Sequence, residues 1–142
     1  MKIRKLESSD IPIVVELWYE TSILAHSFIS PDYWKANRDA MATTYLPDSE
    51  TYVAVKENEI LGFVSMVDNY LAAIFVRKKM QGSGVGKKLL DLVKETRSTI
   101  ELKVYKKNID SVNFYKKQGF EAVSERLDES TKETEVFMKW NK

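Results

Sequence analysis

Cysteine is absent from the 142 residues, and histidine occurs once, as His26. Disulfides, thiolate zinc sites and a cysteine nucleophile are thereby excluded, as is any metal site built on two or three imidazoles. Only carboxylate-dominated metal binding would survive, and no tight carboxylate cluster suggests it, so no metal is expected. An excess of one charge sign is missing too: 22 Lys and Arg stand against 21 Asp and Glu, a net of +1. Generic binders of nucleic acid or membrane surfaces are normally more basic, so neither partner is expected. Long apolar runs are lacking. The longest uncharged one, Tyr70 to Val76, is strand length, far short of the roughly 20 residues that cross a bilayer. The leading residues Met1 to Glu7 have no apolar signal-peptide core. A cytoplasmic location is expected.

What the chain does contain is an ordinary globular mix, 44 % hydrophobic and 30 % charged, in the length of one domain. Its near-zero net charge hides an asymmetry. Residues 1–70 carry 6 basic and 11 acidic side chains, whereas residues 71–142 carry 16 and 10. An anionic ligand is expected on the second half and a cationic one is tolerated near the first, unless both halves merely present solvated faces.

Residues 2–7 read as a strand. Ser8, Ser9 and Asp10 offer helix caps, with Pro12 in the first turn. Val14, Leu17, Trp18, Thr21 and Ala25 follow at helical spacing as one buried stripe. His26 to Ile29 form a loop, and Ser30-Pro31-Asp32 starts a second helix that runs to about Tyr45, where Leu46-Pro47-Asp48 ends it. Strands are expected at 51–55, 60–67 and 70–76, joined by turns at Glu57-Asn58-Glu59 and Asp68-Asn69. The chain then reads Gln81-Gly82-Ser83-Gly84-Val85-Gly86 and enters a helix with Val85, Leu89, Leu92 and Val93 on one face. Ile100, Leu102 and Val104 alternate with Glu101, Lys103 and Tyr105, a strand buried on one side. Asn108 opens a short helix that Gly119 closes, and strands at 120–126 and 135–140 finish the chain. The order β-α-α-β-β-β-α-β-α-β-β, without repeat or linker, is a mixed α/β domain.

A strand, a glycine-rich turn and a helix N-terminus make an anion site, because backbone N–H groups lie unpaired there and the helix dipole favours negative charge. Two phosphate loops fit this spacing badly. A Walker loop needs four residues between its first glycine and Gly-Lys, then Ser or Thr; here Gly82 and Gly86-Lys87 are three apart and Lys88 follows. A dinucleotide fingerprint needs G-x-G-x-x-G near the first strand, whereas this G-x-G-x-G lies mid-chain and Lys87 replaces the last glycine.

Gln81, Gly84 and Gly86 give instead the pattern Gln-x-x-Gly-x-Gly. Downstream, Asn108, Ser111, Phe114, Tyr115, Gly119 and Phe120 give Asn-x-x-Ser-x-x-Phe-Tyr-x-x-x-Gly-Phe. The two motifs, in this order and separation, resemble the GNAT acetyltransferase superfamily, and the element order is similar over residues 1–142, read as one N-acetyltransferase domain. The front of the chain, with Glu16-Leu17-Trp18, His26 to Ile29 and Tyr33-Trp34, resembles the bacterial YiaC-type enzymes of that superfamily. The resemblance implies an α+β fold: a central mixed, mostly antiparallel twisted sheet flanked by about four helices. It implies acetyl transfer from acetyl-CoA to a primary amine, a protein lysine or a small amine, by direct attack in a ternary complex. It leaves monomer and homodimer open.

The resemblance also implies roles. Ile74, Phe75 and Val76 would run beside the pantetheine arm, with the Val76 N–H polarising the thioester carbonyl; by themselves they read as ordinary core strand. Gln81, Gly82, Ser83, Gly84, Val85, Gly86 and Lys87 would hold the pyrophosphate. Asn108 would anchor the cofactor side of its helix, or simply cap it. Tyr115 would donate a proton to the departing thiolate; the plainer reading is an aromatic packed beside Phe114. The pattern is broken at Lys103, where several relatives carry a glutamate. An amine with an ordinary pKa near 10.4 still has to lose its proton. Glu101, His26 and solvent water are the candidates, and His26 borders the expected acceptor cleft. Tyr70, Phe28, Tyr33 and Trp34 would line an acceptor groove or pack in the core. Lys103 keeps open a second function, a non-catalytic acyl-CoA-binding or regulatory module.

Overall fold

The computed structural model describes all 142 residues. Strand β1 (Lys2–Lys5) passes through a short 3₁₀ turn into helix α1 (Ile11–Ala25). Asp10 builds the helix start: its carboxylate accepts the Glu7 N–H at 2.8 Å and both terminal Arg4 nitrogens at 2.7 and 3.1 Å. Helix α2 (Pro31–Ala36) is capped by the Ser30 hydroxyl, as the sequence suggests. It stops earlier than expected, at Asn37, because the Asn37 side-chain amide donates to the Tyr33 carbonyl at 2.7 Å and so competes with the helix ladder. Helical turns then resume over Arg38–Ala40, a π-helical stretch Met41–Tyr45 and Leu46–Asp48. Pro47 falls in the first turn of that last piece, so residues 46–48 extend the run instead of ending it.

Strands β2 (Glu50–Lys56), β3 (Glu59–Val67) and β4 (Tyr70–Val76) follow. Glu57 and Asn58 both have positive φ, the two-residue hairpin geometry, which leaves Glu59 in the strand. Helix α3 (Val85–Glu95), β5 (Thr99–Tyr105), α4 (Ile109–Lys117), β6 (Glu121–Asp128) and β7 (Glu133–Asn141) complete the expected order.

The seven strands form one sheet, β1-β2-β3-β4-β5-β7-β6, antiparallel except between β4 and β5. Only that parallel pair needs a crossover, and α3 supplies it. Each face of the sheet carries a core. On one, α1 and α2 bury Val14, Leu17, Trp18 and Trp34 against Val53 and Phe63. On the other, α3 and α4 bury Leu89, Leu90, Val93 and Tyr115 against Ile100 and Leu102. Leu90, not the expected Leu92, is fully buried, because the Gly86 side of α3 faces Phe114 of α4. The α1 stripe also ends early: Ala25 is exposed, and the buried residue at that end is His26. No helix is long and apolar enough to cross a membrane.

Candidate active site

The site begins as a fault in the sheet. Strands β4 and β5 pair only at Tyr70 and Glu101, where the Glu101 N–H donates to the Asn69 carbonyl at 2.9 Å. The β3–β4 register then slips: Ser65 and Met66 face Ala73 and Leu71, so Ala72 is an extra residue in β4. Such a bulge bends its strand and interrupts the side-chain alternation. Beyond it β4 and β5 part, and a cleft of about 880 Å³ opens between them.

Strand peptides point alternately to the two sides. The Arg77 N–H donates to the Leu61 carbonyl at 2.8 Å, and the Phe75 carbonyl faces Gly62, where a Cβ would come within 2.7 Å of it. The Val76 and Ile74 peptides between them therefore face the gap, with no strand to pair them. The side chains of Ile74 and Val76 pack into the α3 core, and that of Phe75 into the α1 core. Both readings of residues 74–76 are compatible, since backbone and side chains serve different neighbours.

At the end of β4 the Gln81 amide donates to the Val76 carbonyl at 3.1 Å, tying the loop to the strand. Gly82 and Gly84 have φ of +83° and +94°, and a Cβ on either would meet nothing within 4 Å. Their side of the loop is open, so what they provide is backbone direction. Ser83 turns inward, its hydroxyl donating to the Met80 carbonyl. The first N–H of α3 used by the helix is that of Lys88, bonded to the Gly84 carbonyl. The N–H groups of Gly82, Gly84, Val85, Gly86 and Lys87 have no backbone partner. Gly86 serves packing instead: its Cβ position lies 3.4 Å from Phe114 and 3.6 Å from Val76. The Lys87 ammonium leans along the helix to Asp91 at 2.7 Å. Among its basic neighbours, Lys79 pairs with Glu59 and Arg77 with the Ile60 carbonyl.

Tyr115 reaches the cleft from α4. Its ring packs between Phe114 and Phe120, with centroids 5.5 and 5.7 Å away. Burial holds its phenol above the ordinary value near 10, with the neighbouring Tyr70 adding to the effect. The group stays protonated across the working pH range.

Opposite it stands a wall of side chains from the α1 face: Tyr70, Lys103, Tyr105 and, from β7, Glu135. The Tyr105 hydroxyl donates to Asp128 at 2.8 Å. Burial raises the Tyr70 phenol, and the Glu135 charge raises it further. Glu101, a candidate base in the sequence, lies outside the cleft, exposed and 3.8 Å from Lys139. Glu135 was not singled out from the sequence. Its alternation with Val136 and Met138 puts it on the face opposite the core, but only the register with β5 sets it beside Tyr105.

His26 and Asn108, 82 positions apart, meet at the cleft wall. The His26 Nδ1–H donates to the Ser22 carbonyl at 3.0 Å, which leaves Nε2 to accept from the Asn108 side-chain amide at 3.3 Å. The Asn108 Oδ1 accepts the Ser111 N–H at 3.4 Å, so the same residue also caps α4. His26 stacks on Trp34, 4.9 Å between centroids, with Phe28 and Tyr105 edge-on. Burial lowers its pKa to about 4, and the bond to Ser22 opposes this only in part. The imidazole is neutral, and its free nitrogen is already engaged.

A split parallel pair with unpaired backbone donors, continuous with a glycine loop at a helix N-terminus, fits a long ligand that ends in phosphates. Comparison with known proteins agrees. The acetyltransferase (GNAT) domain profile matches residues 23–133. The peptidyl-lysine N-acetyltransferase YiaC of Escherichia coli is 34 % identical over 139 residues, covering 97 % of this chain and 95 % of that protein. The solution structure of apo YjaB from Escherichia coli superposes with a TM-score of 0.86 at 24 % identity, over 98 % of this chain and 96 % of that one, and shows the same fold. A putative streptothricin acetyltransferase from Bacillus anthracis, solved in complex with acetyl coenzyme A, gives a TM-score of 0.62 at 25 % identity over 69 % and 66 % of the two chains. Fold, motifs and relatives converge: the chain belongs to the GNAT family and is an acetyl-CoA-dependent N-acetyltransferase.

Proposed function

We propose that the acceptor is the side-chain amine of a protein lysine. The observation that carries this reading is the 34 % identity, across nearly the whole chain, to an enzyme named for peptidyl-lysine acetylation. The cleft supports it. Its acceptor wall offers the aromatic rings of Tyr70 and Tyr105 around the carboxylate of Glu135, a lining suited to an alkyl chain ending in a cation.

The residues fit acetyl-CoA on their own geometry. The unpaired N–H groups of residues 82, 84, 85, 86 and 87 would hold the pyrophosphate, and the open side of Gly82 and Gly84 gives it close access. The gap-facing peptides of Ile74 and Val76 would align the pantetheine arm, and the Val76 N–H would stabilise negative charge at the acyl oxygen. Bound there, acetyl-CoA supplies an activated acyl group. Tyr115, with its hydroxyl free of protein partners and fully protonated, would hydrogen-bond the departing sulfur. His26 enters this reading as a positioning residue, not as the base: its Nε2 fixes the Asn108 amide at the cleft wall. Asn108 in turn holds the start of α4, and with it Tyr115.

The test is transfer to a matched panel: a lysine-containing peptide with a blocked N-terminus, the same peptide with lysine replaced and a free N-terminus, and a small polyamine. Thiol release together with a 42 Da mass gain (roughly one acetyl group) on the blocked lysine peptide is expected. Transfer only to the α-amine or the polyamine overturns the lysine reading.

A further inference from the structure

The sequence leaves the base unassigned, because the family resemblance implies a glutamate at the β5 position that Lys103 fills. Only two carboxylates line the cleft, Asp110 and Glu135. Asp110 is exposed in the first turn of α4. Glu135 is half-buried on β7. It sits directly across from Tyr105 of β5 on one side and Arg126 of β6 on the other, two pairs along from Lys103 and Phe137 and so on the same face. Residues opposite one another on neighbouring strands share a face, so Glu135 stands with Tyr70, Lys103 and Tyr105 at the acceptor wall.

We propose that Glu135 receives the acceptor ammonium and takes its proton, a carboxylate moved one strand over from the position that Lys103 fills. This rests on the reading of the cleft as an amine acceptor site. The protons balance as follows. The ammonium gives one to the Glu135 carboxylate and becomes a neutral amine. Its nitrogen bonds to the acyl carbon, the carbon–sulfur bond breaks, the leaving thiolate takes the Tyr115 hydroxyl proton, and the second nitrogen proton restores Tyr115. Glu135 then returns its proton to solvent, so each turnover releases one.

The surroundings suit the task. Burial raises the Glu135 carboxyl above the ordinary range, and Asp128 from β6 adds to this, whereas the Lys103 ammonium opposes it. The remaining charged or titratable groups that face it are Arg126 on β6, Tyr105 beside it, Tyr70 from β4 and Tyr33 from α2. A carboxylate tuned upward is a better proton acceptor. Lys103 is held near by its place over the Phe137 ring, 5.3 Å from the centroid. Lys103 thus favours the charged form of this carboxylate.

Glu135→Gln keeps shape and removes the base. With a lysine peptide, kcat/KM should fall by roughly 10²–10⁴ near neutrality. The deficit should shrink as pH rises toward the amine's own pKa of about 10.4, because solvent then delivers the neutral amine. Acetyl-CoA affinity should be unchanged. Glu101→Gln, on β5 but outside the cleft, should leave kcat/KM as it was. Lys103→Met should move the acid limb of the rate profile upward, since it removes the charge that favours the carboxylate. A Glu135→Gln enzyme with wild-type kcat/KM and profile overturns the proposal, as does a deficit equal at all pH values. If Glu135→Gln melts early, the limb position in Lys103→Met decides alone, and an unmoved limb is negative. A wild-type enzyme that acetylates no amine of the panel would instead sink the acceptor reading on which this one stands.

Discussion

The two sides of the cleft are made from different material. The side proposed for the cofactor is backbone: the unpaired edge of β4 and the unpartnered N–H groups of residues 82 and 84–87. The side proposed for the acceptor is side chains drawn from separate elements, Tyr70 from β4, Lys103 and Tyr105 from β5 and Glu135 from β7. Backbone donors are indifferent to most substitutions but demand a particular chain path, so they are specified by glycines and by a helix start. A wall of side chains tolerates many chain paths but depends on each residue's identity. The first design can be shared across a family that uses one acyl donor, while the second leaves the acceptor free to change.

Tyr115 joins the two sides, and its hydroxyl gives the largest expected effect. Tyr115→Phe keeps the ring between Phe114 and Phe120 and should lower kcat by roughly 10²–10⁴ if proton donation to sulfur limits the rate. Acetyl-CoA affinity by calorimetry should hold. Burial keeps this phenol protonated beyond the ordinary range, so the loss should be equal from pH 6 to 9 (about three units, all below an ordinary phenol pKa). Turnover kept at every pH would return the ring to a packing role.

His26 offers a stability readout of the acceptor wall. Its pKa is about 4 in the fold against an ordinary 6.5 in the unfolded chain. Between these values the unfolded state binds more protons, so stability is full above pH 6.5 and is lost as pH falls toward 4. The whole loss is on the order of 3 kcal/mol, from about 1.4 kcal/mol per unit. His26→Gln should flatten the fall in denaturation midpoint between pH 7 and 4.5. An equally steep fall in the variant would assign the acid lability elsewhere. Its kcat/KM profile separates positioning from base: loss of the acid limb alone would restore the base role.

Gly84 probes the cofactor side by its path alone. With φ at +94° and open space where a Cβ would stand, Gly84→Ala adds no clash, only strain of roughly 1–2 kcal/mol. Acetyl-CoA affinity should fall by about tenfold if binding needs that path, and turnover at saturation should be kept. Unchanged affinity with an unchanged melting point would mean the loop is not held in this conformation when loaded.

This division explains what was readable in advance. The element order, the glycine loop and the Asn108 cap are local, with their signals within a few residues of the feature they specify. Tyr70 to Val76 was readable as a strand, yet nothing in its composition announces the extra residue at Ala72 that bends it away from β5. The turn of α3 that buries Leu90 in place of Leu92 depends on Phe114 of a later helix. Asn37 ends α2 by a side-chain bond that competes with an otherwise good helical pattern. Glu135 is the plainest case. In the sequence it is one glutamate in an acidic, exposed-looking hairpin, and only cross-strand register brings it to Tyr105. The pairing of His26 with Asn108 is non-local in the same way.

The smallest effect is expected where simple charge counting would place the largest. The second half of the chain is basic, and Lys87 opens the helix at the phosphate loop, so a cation-built pocket would lose most of its affinity with Lys87→Gln. In the fold that ammonium is 2.7 Å from Asp91, and both side chains are about half exposed. An exposed pair one helical turn apart contributes only about 0.3–0.5 kcal/mol to stability, so the melting point should hardly move. If the five unpartnered N–H groups carry the pyrophosphate, acetyl-CoA affinity should drop by about threefold or less, that is, under 1 kcal/mol. Its dependence on salt should become slightly shallower, since one screened charge has gone. Asp91→Asn frees the same ammonium and should move affinity by a similarly small amount in the other direction. A hundredfold loss in Lys87→Gln would show that this lysine leaves Asp91 to bind phosphate, and the cofactor side would then depend on side chains as the acceptor side does.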